Sequence, residues 1–311
     1  MERYPYREKL RYLTRGRILY DEPMANHTSM EVGGKADCLV YPASAVEIGV
    51  IVAYLQSAGI PFLPVGNCTN LIVRDGGYRG VIICLSGLTG IEPGRQASDR
   101  VLVIAEAGVA LADAVRLTAE ESLTGMEFCA GIPGTIGGAI RMNAGAYGHA
   151  MQEVTEKILI VNSSGQLQEK FASELNFEYR NLDLAEGAVI VKAELSLRRG
   201  EREEIKALIA QRMDEREKKH PLHYPSAGSV FRNPVGMPAG RIIDELGLKG
   251  LQIGAARISD IHGNFIINTG GATAADVLSL MDLIQEKSLA EKGIALVPEV
   301  KIVGADHEEA V

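Results

Sequence analysis

The chain has 311 residues, 46% hydrophobic and 23% charged, which excludes a disordered or disulfide-stapled chain and suits roughly two domains at about 150 residues each. Its 32 basic and 40 acidic residues leave a net charge of −8, against a general nucleic-acid or anionic-membrane surface, since both depend on clustered cations. Glycine is in surplus: 34 of 311 residues is about 11%, against a usual 7% or so.

In chain order, Cys38 to Tyr41 reads as a short strand, and Ser44 and Glu47 as a capping box opening a helix that ends before Gly59. The apolar run Pro61 to Val65 is a second strand, giving a strand-helix-strand unit followed by the loop Gly66-Asn67-Cys68-Thr69-Asn70. Strands are predicted at Val81 to Leu85 and Val101 to Glu106, and a helix from Leu111 to Ser122. Glycine and alanine dominate Gly125 to Gly148. Val189 to Arg198 alternates as a strand does, with Val191, Ala193, Leu195 and Leu197 on one face. Composition shifts at Arg199-Gly200, where a charged helix over Glu201 to His220 begins, with Ile205, Leu208, Ile209 and Met213 as its apolar stripe. A domain boundary is expected there. Thr273-Ala-Ala-Asp276 opens a further helix that Gly293 stops, and Ala295 to Val303 is the last predicted strand. The fold class is α+β.

The four cysteines, Cys38, Cys68, Cys84 and Cys129, form no Cys-x-x-Cys pair and follow no secretory leader, so reduced thiols and a cytoplasmic location are expected. No apolar window reaches the length of a membrane span. His220 and His223 lack a third ligand nearby and are read as a solvated loop, with no metal. No dinucleotide fingerprint follows a strand, and Gly34-Lys35 lacks the upstream glycine of a P-loop.

Two segments could carry chemistry. A tight turn after a buried strand, as at Gly66 to Asn70, exposes successive N–H groups that cradle an anion, although an ordinary loop has the same look. Gly131 to Gly148 has glycine or alanine at nine of its eighteen positions, which suits close approach of a ligand or simply of another strand.

Together with Asn26-His27-Thr28-Ser29, Val32-Gly33-Gly34-Lys35-Ala36-Asp37, Phe177-Glu178-Tyr179-Arg180, Pro225 to Pro234 and Pro298-Glu299-Val300, these segments resemble the UDP-N-acetylenolpyruvoylglucosamine reductase family, also called UDP-N-acetylmuramate dehydrogenase. The matches fall in family order. The spacing from Gly148 to Arg180 resembles the compact branch that lacks a substrate-capping tyrosine loop. The resemblance implies two FAD-binding subdomains of the vanillyl-alcohol-oxidase type, 1–65 and 66–199, and a substrate-binding domain, 200–311. It implies FAD held by Gly66, Asn67, Cys68, Thr69, Asn70 and Leu71 and by Gly131, Pro133, Gly134, Thr135, Gly137, Gly138 and Ala139. The family usually has glycine then serine at Cys68 and Thr69, so Cys68 is expected in an ordinary backbone region, because its Cβ would strain a positive φ.

The implied reaction reduces the enolpyruvyl double bond of a UDP-sugar to a lactyl ether: NADPH reduces the flavin, whose N5 delivers hydride to the substrate. By resemblance Arg180 binds the carboxylate, Ser229 donates the proton and Glu299 supports the charged intermediate. Tyr179, Arg216, Arg232 and Asn233 are the implied substrate contacts. A monomer is expected, with no nucleic-acid or membrane partner. An oxidase of the same superfamily and an idle flavin or nucleotide-sugar binder are the competing functions. The second has no use for a proton donor.

Overall fold

The computed structural model describes residues 6–97 and 99–307. The chain forms two compact units, one of Met1–Tyr20, Cys38–Asn67 and Gly80–Asp214, the other of Asp21–Asp37, Cys68–Arg79 and Glu215–Val311. No helix among the described residues is long and apolar enough to cross a membrane.

The first unit is built on an antiparallel sheet in the order Leu167–Phe171, Thr155–Val161, Val189–Arg199, Arg100–Glu106, Ile91–Ala97. Val189–Arg199 is central, and the face of Val191, Ala193, Leu195 and Leu197 is buried as its alternation requires. Ile91–Ala97 was not expected, because Pro93 and Gly94 disfavour strands. It lies at the sheet edge with its register broken between Pro93 and Gln96, where a missing N–H is tolerated.

Ala45–Ser57 begins as predicted, with the Ser44 hydroxyl accepting the Glu47 N–H at 3.2 Å. The Glu47 carboxylate turns instead to the Ala43 N–H and the Thr14 hydroxyl, at 2.9 and 2.6 Å. Phe62–Val65 pairs in parallel with Val81 to Cys84, so strand Tyr78–Cys84 is inserted between the two strands of the predicted strand-helix-strand unit. The charged helix runs over Arg202–Lys219, but of its apolar stripe only Ile205 is buried, while Leu208 and Met213 are exposed. A helix dense in charge at most other positions gains little from burying a second turn.

The second unit has a four-stranded antiparallel sheet, Ser226–Ser229, Phe265–Asn268, Ala256–Ile258, Gln252–Ile253, beside the helix Ala274–Lys292. Val277, Leu280, Met281 and Ile284 of that helix join Phe231, Ile242 and Ile266 in its core. The helix opens with the Thr273–Asp276 capping box and closes at Gly293, whose φ of 68° is the left-handed cap that glycine supplies without cost. Asp75 adds a second N-terminal cap, its two carboxylate oxygens accepting the Ala274 and Ala275 N–H groups at 2.9 and 2.8 Å. The last strand is shorter than expected, Lys301–Val303, paired in parallel with Leu71–Val73. Ahead of it Pro298 offers no N–H, and the chain makes only an isolated bridge to Phe231.

Candidate active site

In the first unit the glycines of the two candidate loops sort by what surrounds them. A Cβ on Gly66 would lie 2.3 Å from the Thr135 hydroxyl, and one on Gly137 2.7 Å from the Ala107 Cβ, so these two glycines allow loop to meet loop and helix to meet strand. Gly131, Pro133 and Gly138 are exposed, and Gly131 and Gly134 adopt positive φ of 71° and 145°. Thr135 caps the short helix Ile136–Arg141 through the Gly138 N–H. Gly137 and Ala139 are buried beneath. The result is a ledge where glycine main chain reaches the surface at Gly131 and Gly138, which fits a flat cofactor carrying a diphosphate. Asn67 is exposed beside it.

Arg180 sits at the turn of the hairpin Asn176–Glu178 and Asn181–Asp183, with φ of 59° and its guanidinium carbon 5.2 Å from the centre of the Tyr179 ring. Tyr179 is itself 52% exposed. Three-residue strands leave too little periodicity for this hairpin to be found by pattern.

The remaining loop residues belong to the second unit. Cys68 has φ of 53° and is buried, so the ordinary backbone expected for it is overturned. A turn that suits glycine is made here by cysteine, at a cost of roughly 1–2 kcal/mol. The hydroxyl of Ser29 donates to the Thr69 carbonyl at 3.4 Å. Asn70 Nδ2 donates to the Glu299 carbonyl at 3.1 Å, its own carbonyl accepts the Lys301 N–H at 3.0 Å, and Leu71 stands opposite Lys301.

Ser229 and Glu299 are brought together by main-chain bonds. The Glu299 N–H donates to the Val230 carbonyl at 2.7 Å and the Arg232 N–H to the Val297 carbonyl at 2.9 Å, on either side of the Phe231 to Pro298 bridge. Ser229 and Asn233 line a cavity of about 280 Å³ together with Arg241, Lys249, His262 and Asn264. Asn233 Oδ1 accepts the Ala239 N–H at 2.9 Å. Lys249 and Arg241 are paired with Asp244 and Glu245, each at 2.9 Å, on the cavity rim. Arg232 Nε is buried with no hydrogen-bond partner among the described residues, an orphan that an anionic ligand would satisfy.

His220 is not solvated as expected. Its ring stacks on Phe265 with centroids 5.0 Å apart, and burial, together with the charges of Arg216, His262 and Lys219, pushes its pKa down to about 4. Burial, with Lys249 nearby, also lowers the pKa of His262. Arg216 lies one helical turn before His220, whose N–H donates to its carbonyl at 2.9 Å. Arg241, Lys249, His262 and Asn264 were missed because they are spread over a charged helix end and a loop with no motif of their own.

Residues 36–169 match the family model of an FAD binding domain, and residues 220–303 that of the UDP-N-acetylenolpyruvoylglucosamine reductase C-terminal domain. The chain is 49% identical to the UDP-N-acetylenolpyruvoylglucosamine reductase of Syntrophus aciditrophicus, over 96% of each protein, and 44% identical to that of Caldanaerobacter subterraneus, over 94% of this chain and 95% of the relative. It resembles the crystal structure of the Thermus caldophilus UDP-N-acetylenolpyruvylglucosamine reductase with a TM-score of 0.79 and 31% identity, over 93% of this chain and 98% of that one. The α+β fold, with an FAD-binding module ahead of a C-terminal domain, is that of this family, and the chain belongs to the UDP-N-acetylenolpyruvoylglucosamine reductases.

Proposed function

We infer that this protein is an NADPH-dependent flavoenzyme that reduces UDP-N-acetylglucosamine enolpyruvate to UDP-N-acetylmuramate, a step of peptidoglycan precursor synthesis. FAD, when bound, supplies the hydride that NADPH brings to the site. The glycine-rich ledge from Gly131 to Ala139 and the loop from Gly66 to Leu71 hold it, in FAD-binding subdomains 1–65 and 66–199, and 200–311 binds the substrate. The enzyme acts in the cytoplasm as a monomer.

As the terminal carbon of the enolpyruvyl group takes the hydride, negative charge spreads over the neighbouring carbon and the carboxylate. Arg180, with a planar fork of donors, binds that carboxylate and stabilises the growing charge. The Ser229 hydroxyl delivers a proton to the neighbouring carbon. A hydroxyl is a weak acid, but a carbanion is a strong enough base to take its proton when the alkoxide left behind is stabilised. Glu299 supports the enol-like intermediate, in its protonated form by donating to the substrate carboxylate or otherwise through a water that donates to both. Preorganised donors of this kind are worth a few kcal/mol each, on the order of the largest catalytic terms known. Tyr179, Arg216, Arg232 and Asn233 hold the nucleotide-sugar.

The observation that carries this reading is the 2.7 Å bond from Glu299 N–H to the Val230 carbonyl, which sets the main chain of Glu299 beside that of Val230, the neighbour of Ser229, although the two lie in distant parts of the chain. Neither an idle binder nor an alcohol oxidase needs that pair. The purified protein should be yellow, lose its colour with NADPH and regain it with the enolpyruvyl substrate. Ser229→Ala should leave reduction by NADPH nearly intact and slow the substrate step by several orders of magnitude; equal loss in both steps would defeat the assignment.

A further inference from the structure

The hairpin that carries Arg180 is too small to hold its own shape. Its two strands have three residues each, whereas an isolated hairpin is marginal in water even when longer. Of its strand side chains only Leu182 is buried, and the left-handed φ of Arg180 disfavours the turn further. Its support comes from the end of the helix Ile136–Arg141 and the residues just after it. The Arg141 guanidinium donates to Asn181 Oδ1 at 2.9 Å and to the Leu182 carbonyl, and so grips the second strand. Asn143 Nδ2 donates to the Glu178 carbonyl at 2.9 Å and grips the first.

Asn143 is in turn fixed from behind. It is 4% exposed, its Oδ1 accepts the Gln152 N–H at 3.1 Å, and its Nδ2 also reaches Gln152 Oε1 at 2.9 Å. The helix that ends in Arg141 begins at Thr135, inside the glycine-rich ledge. Six helical residues therefore join the ledge to both feet of the Arg180 turn, with no flexible linker between them.

We propose that Arg141 and Asn143 are positioning residues of the reaction, which set the Arg180 guanidinium at a fixed place relative to the ledge. The inference rests on the role given to Arg180 above. Both bonds leave one nitrogen, Nη1; Arg141→Lys keeps the charge but loses the reach and the planar end that fix that nitrogen between its two acceptors. Asn143→Asp tolerates the positive φ of 41° and still accepts the Gln152 N–H, but has no amide to donate to the Glu178 carbonyl or to Gln152 Oε1.

The test uses the full-length FAD-loaded protein and follows flavin content, reduction by NADPH and reoxidation by the enolpyruvyl substrate without oxygen. In both variants flavin content and reduction by NADPH should stay at the parent level, while the substrate step slows about 10- to 100-fold, the penalty of a slightly misplaced group. The loss should fall on kcat rather than KM. Because Arg141 acts through Arg180, the double variant Arg141→Lys/Arg180→Lys should be no slower than Arg180→Lys alone. Additive losses, equal losses in both half-reactions, or an undiminished substrate step in Arg141→Lys and Asn143→Asp would each overturn the inference while Arg180→Lys still impairs the step. If Arg180→Lys leaves the step intact, the role of Arg180 itself falls, and the inference with it.

Discussion

Asn264 holds the main chain of Phe231 by both its groups: its Oδ1 accepts the Phe231 N–H at 2.9 Å and its Nδ2 donates to the Phe231 carbonyl at 2.8 Å. The Asn264 carbonyl also accepts the Val230 N–H at 2.9 Å. A buried side-chain amide thus substitutes for a neighbouring strand at the point where Ser229 leaves its own. Asn264→Leu leaves a donor and an acceptor buried without partners and should lower unfolding free energy by roughly 2–4 kcal/mol in urea titration. Asn264→Asp keeps an acceptor for the Phe231 N–H but sets a buried carboxylate oxygen against the Phe231 carbonyl, and at neutral pH should destabilise at least as much as the leucine variant.

Cys68 gives a prediction in which size runs opposite to stability. With φ of 53°, a β-branched side chain is strained further than cysteine, whereas glycine is not strained at all. Cys68→Val should lose about 1–2 kcal/mol, and Cys68→Gly should melt at or above the parent temperature. A more stable valine variant would contradict the backbone described for this turn.

Acid should weaken the second unit through His220. Its folded pKa, near 4, lies below the 6.5 of an unfolded histidine, so between those values the unfolded chain binds the extra proton and stability falls as pH falls. The loss from pH 7 to pH 4 is at most about 3 kcal/mol from this one ring. His220→Phe keeps the stack on Phe265 without the titration, and chemical denaturation at a series of pH values should show a shallower slope for it over pH 4–6.5.

Asp75 caps a helix about 200 residues further along the chain, a separation bridged by two N–H bonds. Asp75→Ala should cost roughly 1–2 kcal/mol, and Asp75→Asn about half of that, since one oxygen still accepts but the charge facing the helix N-terminus is lost. Equal melting temperatures for the parent and the alanine variant would show that the cap carries no weight.

How much of this was readable beforehand depended on whether the signal was local. Val189–Arg199 and the helix Ala274–Lys292 announce themselves through alternation and capping, both written within a few residues. The strand Ile91–Ala97 and the Arg180 hairpin are held by pairing with distant chain, so proline in one and brevity in the other concealed them. At the site, Ser229, Glu299 and Arg180 were found through motif resemblance, whereas Asn264 and His262 act by packing and bonding to residues about 30 positions away or more, which no local pattern records. Cys68 differs for another reason: its Cβ argues for an ordinary backbone, whereas the turn holds it at a positive φ and bears the strain.

Because each unit is assembled from three separated stretches, the order of synthesis on the ribosome matters. Met30, Val32 and Ile72 emerge early, yet the core they belong to is completed by residues after Glu215. For most of translation these apolar side chains have no native partners to cover them, and a nascent chain stalled before the last third would present them to solvent or to a chaperone.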